Sequence, residues 1–331
     1  MSKKKKKKRI LSGMRPTGKM HLGNYVGALE NWVELQDSNK YKNFHLIADY
    51  HVLTTNTDSD HILDNTLDMI CDWLAVGINP EKSPVFRQSQ IKEHAELYLL
   101  FSMLITKARL ERNPTLKEQL KDLNMDNITY GHLGYPVLQA ADILLYKGEV
   151  VPVGEDQAPH VEITREVARR FNKTYGKVFP VPKTKLTNFA RLPGLDRKKM
   201  SKSVGNTILI SDDQEEIQQK MMKAITDPKK IRLHDPGRPE VCLVFTYHQK
   251  FNPAEEDEIS KNCKSGALGC VECKKRCAAA INDFLEPFRE KREYYINNKD
   301  EVLDIIQNGE KRARKEAEKT MEAVREVMKL G

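Results

Sequence analysis

No run of apolar residues in this 331-residue chain approaches the roughly 18–20 that a membrane span needs. No apolar core follows the basic stretch Lys3 to Arg9 either, so a secretory leader is not expected and a cytoplasmic location is. Internal repeats are lacking, and the lysine-rich N-terminus is the one low-complexity segment. Strand signals fade after about residue 205. What is present is ordinary: 39% hydrophobic and 31% charged residues describe a soluble globular protein, long enough for two domains and a sizeable core.

The net charge of +8 invites a polyanionic partner, and its placement decides where. Residues 3–9 are all lysine or arginine; so dense a block of one sign is solvated, and residues 1–9 are expected to form a disordered tail. Residues 10–182 hold 18 Lys and Arg against 22 Asp and Glu, whereas residues 183–331 hold 30 against 25. The second half is therefore the better surface for a nucleic acid.

Strands and helices alternate through the first half. Arg9–Ser12, Phe44–Ala48, Pro84–Phe86 and Val150–Val153 read as short strands. Between them, helical spacing runs from Asn24, over 62–76, 93–105 and 135–146, and again over 156–171. That order predicts an α/β fold, a Rossmann-like parallel sheet covered by helices, over residues 10–205. Helical patterns over 213–225, 255–263, 273–294 and 302–330 predict a helical C-terminal domain over residues 206–331.

Two strings carry the chemistry. Arg15-Pro16-Thr17-Gly18-Lys19-Met20-His21-Leu22-Gly23-Asn24 lies where a strand ends and a helix begins, so free N–H groups and the positive end of the helix dipole can meet an anion. Gly18 and Gly23 allow close approach, and His21 and Asn24 can donate to a triphosphate. The second string, Lys199-Met200-Ser201-Lys202-Ser203, is a loop whose two ammonium groups can follow charge onto departing pyrophosphate. Either alone also fits a surface turn or a solvated lysine loop; their order and separation favour ATP.

With these motifs in place, the chain resembles the bacterial-type tryptophanyl-tRNA synthetases of class I. His21-Leu22-Gly23-Asn24 stands where the class has a second His in place of Asn24, a replacement usual in the tryptophan and tyrosine branch. Leu110-Glu111-Arg112-Asn113-Pro114-Thr115 and Gly154-Glu155-Asp156-Gln157 are similar to further family motifs. The resemblance implies that Lys199, Lys202, His21 and Asn24 act in catalysis. It implies that Arg15, Pro16, Thr17, Gly23, Gly154, Glu155, Asp156, Leu192, Met200, Ser201 and Ser203 join them around ATP, with Mg2+. Gln157 then meets the substrate's amino group. A homodimer and tRNA(Trp) as partner are implied in the same way.

Asp142 is a carboxylate in the otherwise apolar run Gln139-Ala140-Ala141-Asp142-Ile143-Leu144-Leu145-Tyr146, and burying it unpaired is costly. An indole N–H suits it, and the resemblance assigns that role. Gln139 stands where well-known relatives have Met and can hydrogen-bond a phenol, so tyrosine is the competing substrate for the activity expected, a tryptophan–tRNA ligase. A small-metabolite nucleotidyltransferase and a metal-stabilised RNA-binding protein are the readings from other classes.

Of the six cysteines, Cys71 reads as core, while Cys242, Cys263, Cys270, Cys273 and Cys277 gather in the second half. In a reducing compartment such a group points to metal rather than disulfides, and both Zn2+ and an iron–sulfur cluster accept four thiolates. The C-x6-C-x2-C ending at Cys263, Cys270 and Cys273, with Cys242 upstream, is similar to the subset of this family that carries a [4Fe-4S] cluster. Cys277, one helical turn past Cys273, is the rival fourth ligand.

Overall fold

The computed structural model describes residues 7–116, 128–153, 158–186 and 192–331. Five parallel strands form one sheet in the order β3-β2-β1-β4-β5. They are β1 Lys8–Met14, β2 Tyr41–Ile47, β3 Val85–Arg87, β4 Val150–Val153 and β5 Lys183–Leu186. Helices cover both faces, so the central strands are buried on both sides and read as near-continuous apolar runs. β5 is Lys-Thr-Lys-Leu, with no such run, and it passes unnoticed in the sequence. It lies at the sheet edge, where lysines discourage further pairing.

Lys8, placed by the sequence in a disordered tail, instead begins β1; Arg9, which the sequence put both in the tail and in the first strand, lies in the strand, and the two pair in register with Tyr41 and Lys42. Arg9 is held by Glu316 at 2.8 Å and by the Tyr146 carbonyl at 3.1 Å, which removes it from the solvated block.

A single helical turn, Leu22–Asn24, and a π-helical stretch, Tyr25–Leu29, lead from β1 into α1, Glu30–Asp37. Among the described residues, the remaining helices of this half are α2 Asp49–Leu53, α3 Ile62–Ala75, α4 Glu93–Ser102, α5 Lys107–Glu111, α6 Tyr130–Leu145 and α7 Ala158–Thr174. The stop expected after α3 is present: Gly77 has φ +111°, a left-handed conformation that glycine adopts without strain. α6 starts five residues earlier than the apolar pattern suggests, because Thr129 caps it by accepting from the His132 N–H at 3.1 Å.

The helical region comprises α8 Gln214–Lys223, α9 Leu243–Phe251, α10 Glu256–Ser265, α11 Cys270–Asn297 and α12 Lys299–Met328. It has no separate core. Leu22, Tyr25, Trp32 and Trp73 from one face of the sheet share a cluster with Tyr247, Ile281, Leu285 and Val302. On the other face, Phe86, Phe101 and Phe171 pack with Ala313, Ala317 and Met321 of α12. α12 comes so close to β3 that a Cβ on Gly309 would stand 1.8 Å from the Val85 carbonyl oxygen.

The strand order reverses direction between β1 and β4. In open parallel sheets that switch, at the carboxyl ends of the strands, is where ligands bind. Both strings singled out in the sequence are found at the end of β1.

Candidate active site

Beyond Met14 the chain turns through Gly18, whose φ of +85° favours glycine. His21 then caps the helical turn: its Nδ1 accepts from the Asn24 N–H at 3.2 Å, and Asn24 Oδ1 accepts from the His21 N–H at 3.1 Å. This reciprocal pair is a capping box, with His and Asn in the roles usually taken by Ser or Thr and Glu or Gln. With Nδ1 accepting, the proton of the neutral ring sits on Nε2. Burial, followed by the charge of Lys202, pulls the imidazole pKa down to about 4, so the ring is neutral near pH 7 and presents an Nε2–H donor.

The backbone donors expected at this helix start are engaged within the chain. Leu22 N–H bonds the Ile208 carbonyl at 2.9 Å, Asn24 N–H bonds His21, and Gly23 N–H meets only Met200 Sδ at 3.2 Å, a weak acceptor. An anion arriving here therefore meets side chains first. They are His21 Nε2–H, the Asn24 amide nitrogen, which has no partner among the described residues, and Lys202.

Lys202 arrives from the second string. Its ammonium donates to the carbonyl oxygens of Thr17 and Lys19, the latter at 3.1 Å, so the two strings are joined directly. Met200, buried, packs under Gly23, where a Cβ would stand 2.8 Å from its sulfur. Buried Asn206 shapes the loop by accepting from the Ser201 N–H at 2.8 Å and donating to the Lys199 carbonyl at 3.0 Å. Ser201 and Ser203 share a hydroxyl bond of 2.8 Å, and Gly205 closes the turn at φ +73°. The Lys199 side chain is exposed, Leu192 is buried in the core, and Pro16 is buried next to exposed Thr17. Arg15 donates to Thr55 Oγ1 at 3.3 Å.

Asp142 is buried at the same end of the sheet, and three donors from the chain converge on it. Gln88 Nε2 and His94 Nδ1 reach Oδ1 at 2.7 and 2.6 Å, and His51 Nε2 reaches Oδ2 at 2.9 Å. His94 Nδ1, facing a carboxylate, must donate to it, and its Nε2 pairs with the Tyr146 hydroxyl at 3.0 Å. Burial alone would raise the carboxyl pKa; the bonds from His51 and His94 outweigh it and hold the pKa at about 2. Two acceptors remain for a ligand: the second lone pair of Oδ2, and the buried Gln88 Oε1, which no described residue satisfies. Gln139, half-buried, is three residues before Asp142 on α6. Gly154, Glu155, Asp156 and Gln157 lie outside the described residues.

His51, His94 and Gln88 were not singled out in the sequence. Position was the available signal: Gln88 directly follows β3 and His51 follows β2 by four residues, both on the ligand-binding edge of such a sheet.

The cysteines occupy three helix ends. Cys242 caps α9, Cys263 is in the last turn of α10, and Cys270 and Cys273 are in the first turn of α11. These four line one cavity, together with Thr226, Asp227, Lys230, Val244 and Leu268. Burial and then the neighbouring thiols push Cys273 up to about 12. Cys277 is fully buried one turn further on, directs its thiol to the Val244 carbonyl at 3.9 Å and does not line the cavity. Among the described residues, no group of three or more His, Cys, Asp or Glu is drawn together tightly enough to hold a metal ion.

A sheet with ATP-type strings at its switch point defines a class I synthetase core. The model of the tRNA synthetases class I (W and Y) matches residues 3–286, and the chain belongs to that family. Among its relatives, the tryptophan–tRNA ligase of Thermotoga maritima is 49% identical over 97% of this chain and 99% of its own. That of Aquifex aeolicus is 43% identical over 97% of this chain and 100% of its own. The crystal structure of the Campylobacter jejuni tryptophanyl-tRNA synthetase with ADP and tryptophan superposes with a TM-score of 0.87. It is 32% identical and covers 97% of this chain and 100% of its own.

Proposed function

We propose that this aminoacyl-tRNA synthetase is a tryptophan–tRNA ligase, joining L-tryptophan to tRNA(Trp) at the expense of ATP. The observation that carries the proposal is the meeting of the two strings, with Lys202 on the Thr17 and Lys19 carbonyls just before His21, at the sheet end that also holds Asp142. The tryptophan carboxylate attacks the α-phosphorus of ATP and pyrophosphate leaves. Lys202, Lys199 and the His21 Nε2–H stabilise the charge that moves onto it, and no protein nucleophile is required. Mg2+ on the triphosphate supplies further charge neutralisation. A hydroxyl of the terminal tRNA ribose then attacks the adenylate carbonyl and AMP departs.

Asp142 Oδ2 and Gln88 Oε1 are acceptors suited to an indole N–H, and a pocket built to accept that bond rejects analogues lacking it. Arg15, Pro16, Thr17, Gly23, Asn24, Leu192 and the loop Met200–Ser203 surround ATP in this reading, with Gly154, Glu155 and Asp156; Gln157 takes the substrate's amino group. Amino-acid-dependent ATP–pyrophosphate exchange is the test. Exchange with tryptophan and not tyrosine is expected. Exchange with tyrosine alone would overturn the assignment and trace the choice to Gln139.

Residues 10–205 are assigned to catalysis and 206–331 to tRNA binding, in a cytoplasmic homodimer. Exposed Leu99, Met103 and Tyr130 supply apolar surface for the second copy. Cys242, Cys263, Cys270 and Cys273 are proposed to hold a [4Fe-4S] cluster. All four line one cavity, and a [4Fe-4S] cluster takes four thiolates. Cys242 and Cys270 lie at helix N-termini, which favour thiolate. Iron and acid-labile sulfide in equal amounts in anaerobically purified protein are expected; zinc alone would refute the cluster.

A further inference from the structure

Asp72 of α3 is completely buried, yet it touches neither the Asp142 cluster nor the cysteine cavity. Its Oδ2 accepts from the Met20 N–H at 2.6 Å, and its Oδ1 accepts from Arg292 Nε at 2.6 Å. Arg292 also reaches Asp68 with Nη2 at 2.9 Å, and its side chain is 12% exposed. The Met20 N–H and the Lys19 carbonyl belong to one peptide group. Asp72 holds its hydrogen and Lys202 docks on its oxygen, so the two bonds pull on opposite ends of one planar unit. The next carbonyl, that of Met20, accepts from the Ile210 N–H at 2.9 Å, so the peptide has little freedom to turn.

We propose that Arg292, acting through Asp72, is a positioning residue for the ATP site. It orients the Lys19–Met20 peptide and thereby sets where Lys202 stands relative to His21. This rests on the ligase reading above and adds to it a residue from the helical region, about 33 Å along α11 from Cys270 at 1.5 Å per residue. The same helix reaches the turn a second way, since Phe284 and Phe288 pack on Tyr25 with ring centroids at 5.4 and 5.5 Å. A buried carboxylate left without its cation protonates or recruits water, and in either case its hold on the Met20 N–H changes. Burial already raises the Asp72 pKa despite Arg292.

The test is steady-state ATP–pyrophosphate exchange with active-site titration, on wild type, Arg292→Gln, Arg292→Lys and Arg325→Gln. The last breaks the Arg325–Glu96 pair between α12 and α4, which touches neither string. Arg292→Gln should raise KM for ATP about tenfold and lower kcat, with KM for tryptophan within twofold. Arg292→Lys should raise KM for ATP by no more than about threefold. Arg325→Gln should lose melting temperature and keep both KM values. A purely structural Arg292 would lower the melting temperature and the active fraction alone, and that result overturns the proposal. Should Arg292→Gln fail to fold, Arg292→Lys with an unchanged KM for ATP overturns it equally. Wild-type protein without exchange would instead reject the ligase reading, whatever the variants do.

Discussion

The two ends of α11 meet opposite chemical conditions. At the Arg292 end, the groups of the nucleotide turn are engaged by the chain itself: His21 with Asn24, Leu22 with Ile208, Met20 with Asp72, and Lys202 with Thr17 and Lys19. At the Cys270 end, four thiols face a cavity, and burial raises the pKa of Cys263 and Cys273. A site completed by its own hydrogen bonds keeps its shape while substrates come and go. On the proposal of a resident cluster, the end ringed by thiols depends on that group to hold it. The first end is organised for turnover and the second for permanence.

The largest expected effect is the one that separates those ends. If the proposed cluster is present, Cys273→Ser should abolish its absorbance and lower the rate of tRNA charging by about 10²-fold or more, an effect like that of removing a metal ligand. Tryptophan-dependent exchange should stay within about threefold of wild type. Parallel loss of both activities, measured on the same preparation, would show that the cysteine end supports the whole fold rather than tRNA binding.

Next comes Lys202→Ala at the opposite end. Removing a charge that stabilises developing negative charge costs about 10²–10³ in kcat. Exchange and charging should fall together, the reverse of the cysteine variant, because both need the adenylate. If exchange survives, Lys202 is merely a structural tie between the two strings.

Asp142→Asn follows, with kcat/KM for tryptophan down by about 10²-fold and KM for ATP little changed. Asparagine turns one acceptor into a donor that faces either both the Gln88 amide and His94 Nδ1 or, flipped, His51 Nε2, so the melting temperature should fall as well. Loss confined to stability would assign Asp142 to the scaffold.

These contrasts also mark how much was legible in the sequence. The two strings and the parallel sheet were readable because strand-to-helix turns and apolar runs are local signals. Asp142 stood out as a charge in an apolar helix, but its partners did not. His51, Gln88 and His94 come from three segments of the chain, and only the sheet's connectivity brings them together. β5 was invisible because an edge strand of alternating lysines carries no apolar pattern. Arg9 fell under both the tail and the first strand because a count of like charges took no notice of Glu316, far along the chain, which pairs with it. Arg292 was unreadable for the same reason: an arginine on a charged helix becomes distinctive only when α11 packs against α3.

The smallest effect concerns pH and is read at the nucleotide end. His21 is held neutral, with its pKa at about 4, below the unfolded value of about 6.5. As pH falls below 6.5 the unfolded chain takes up a proton that the folded ring refuses, so stability is lost progressively down to about pH 4. Asp142 works in a lower window, its folded pKa of about 2 lying under the unfolded value of about 3.9, so its contribution persists above pH 4. Between pH 7 and 5 the nucleotide end therefore loses stability through His21, with buried His45, pulled down to about 3, adding to the slope. His21→Gln should lose about 2 °C less melting temperature than wild type across that interval, read by scanning calorimetry. An unchanged slope would mean that the imidazole titrates like a solvated histidine. The capping box would then leave its Nε2–H unfixed, and the nucleotide end would be less pre-organised than its hydrogen bonds imply.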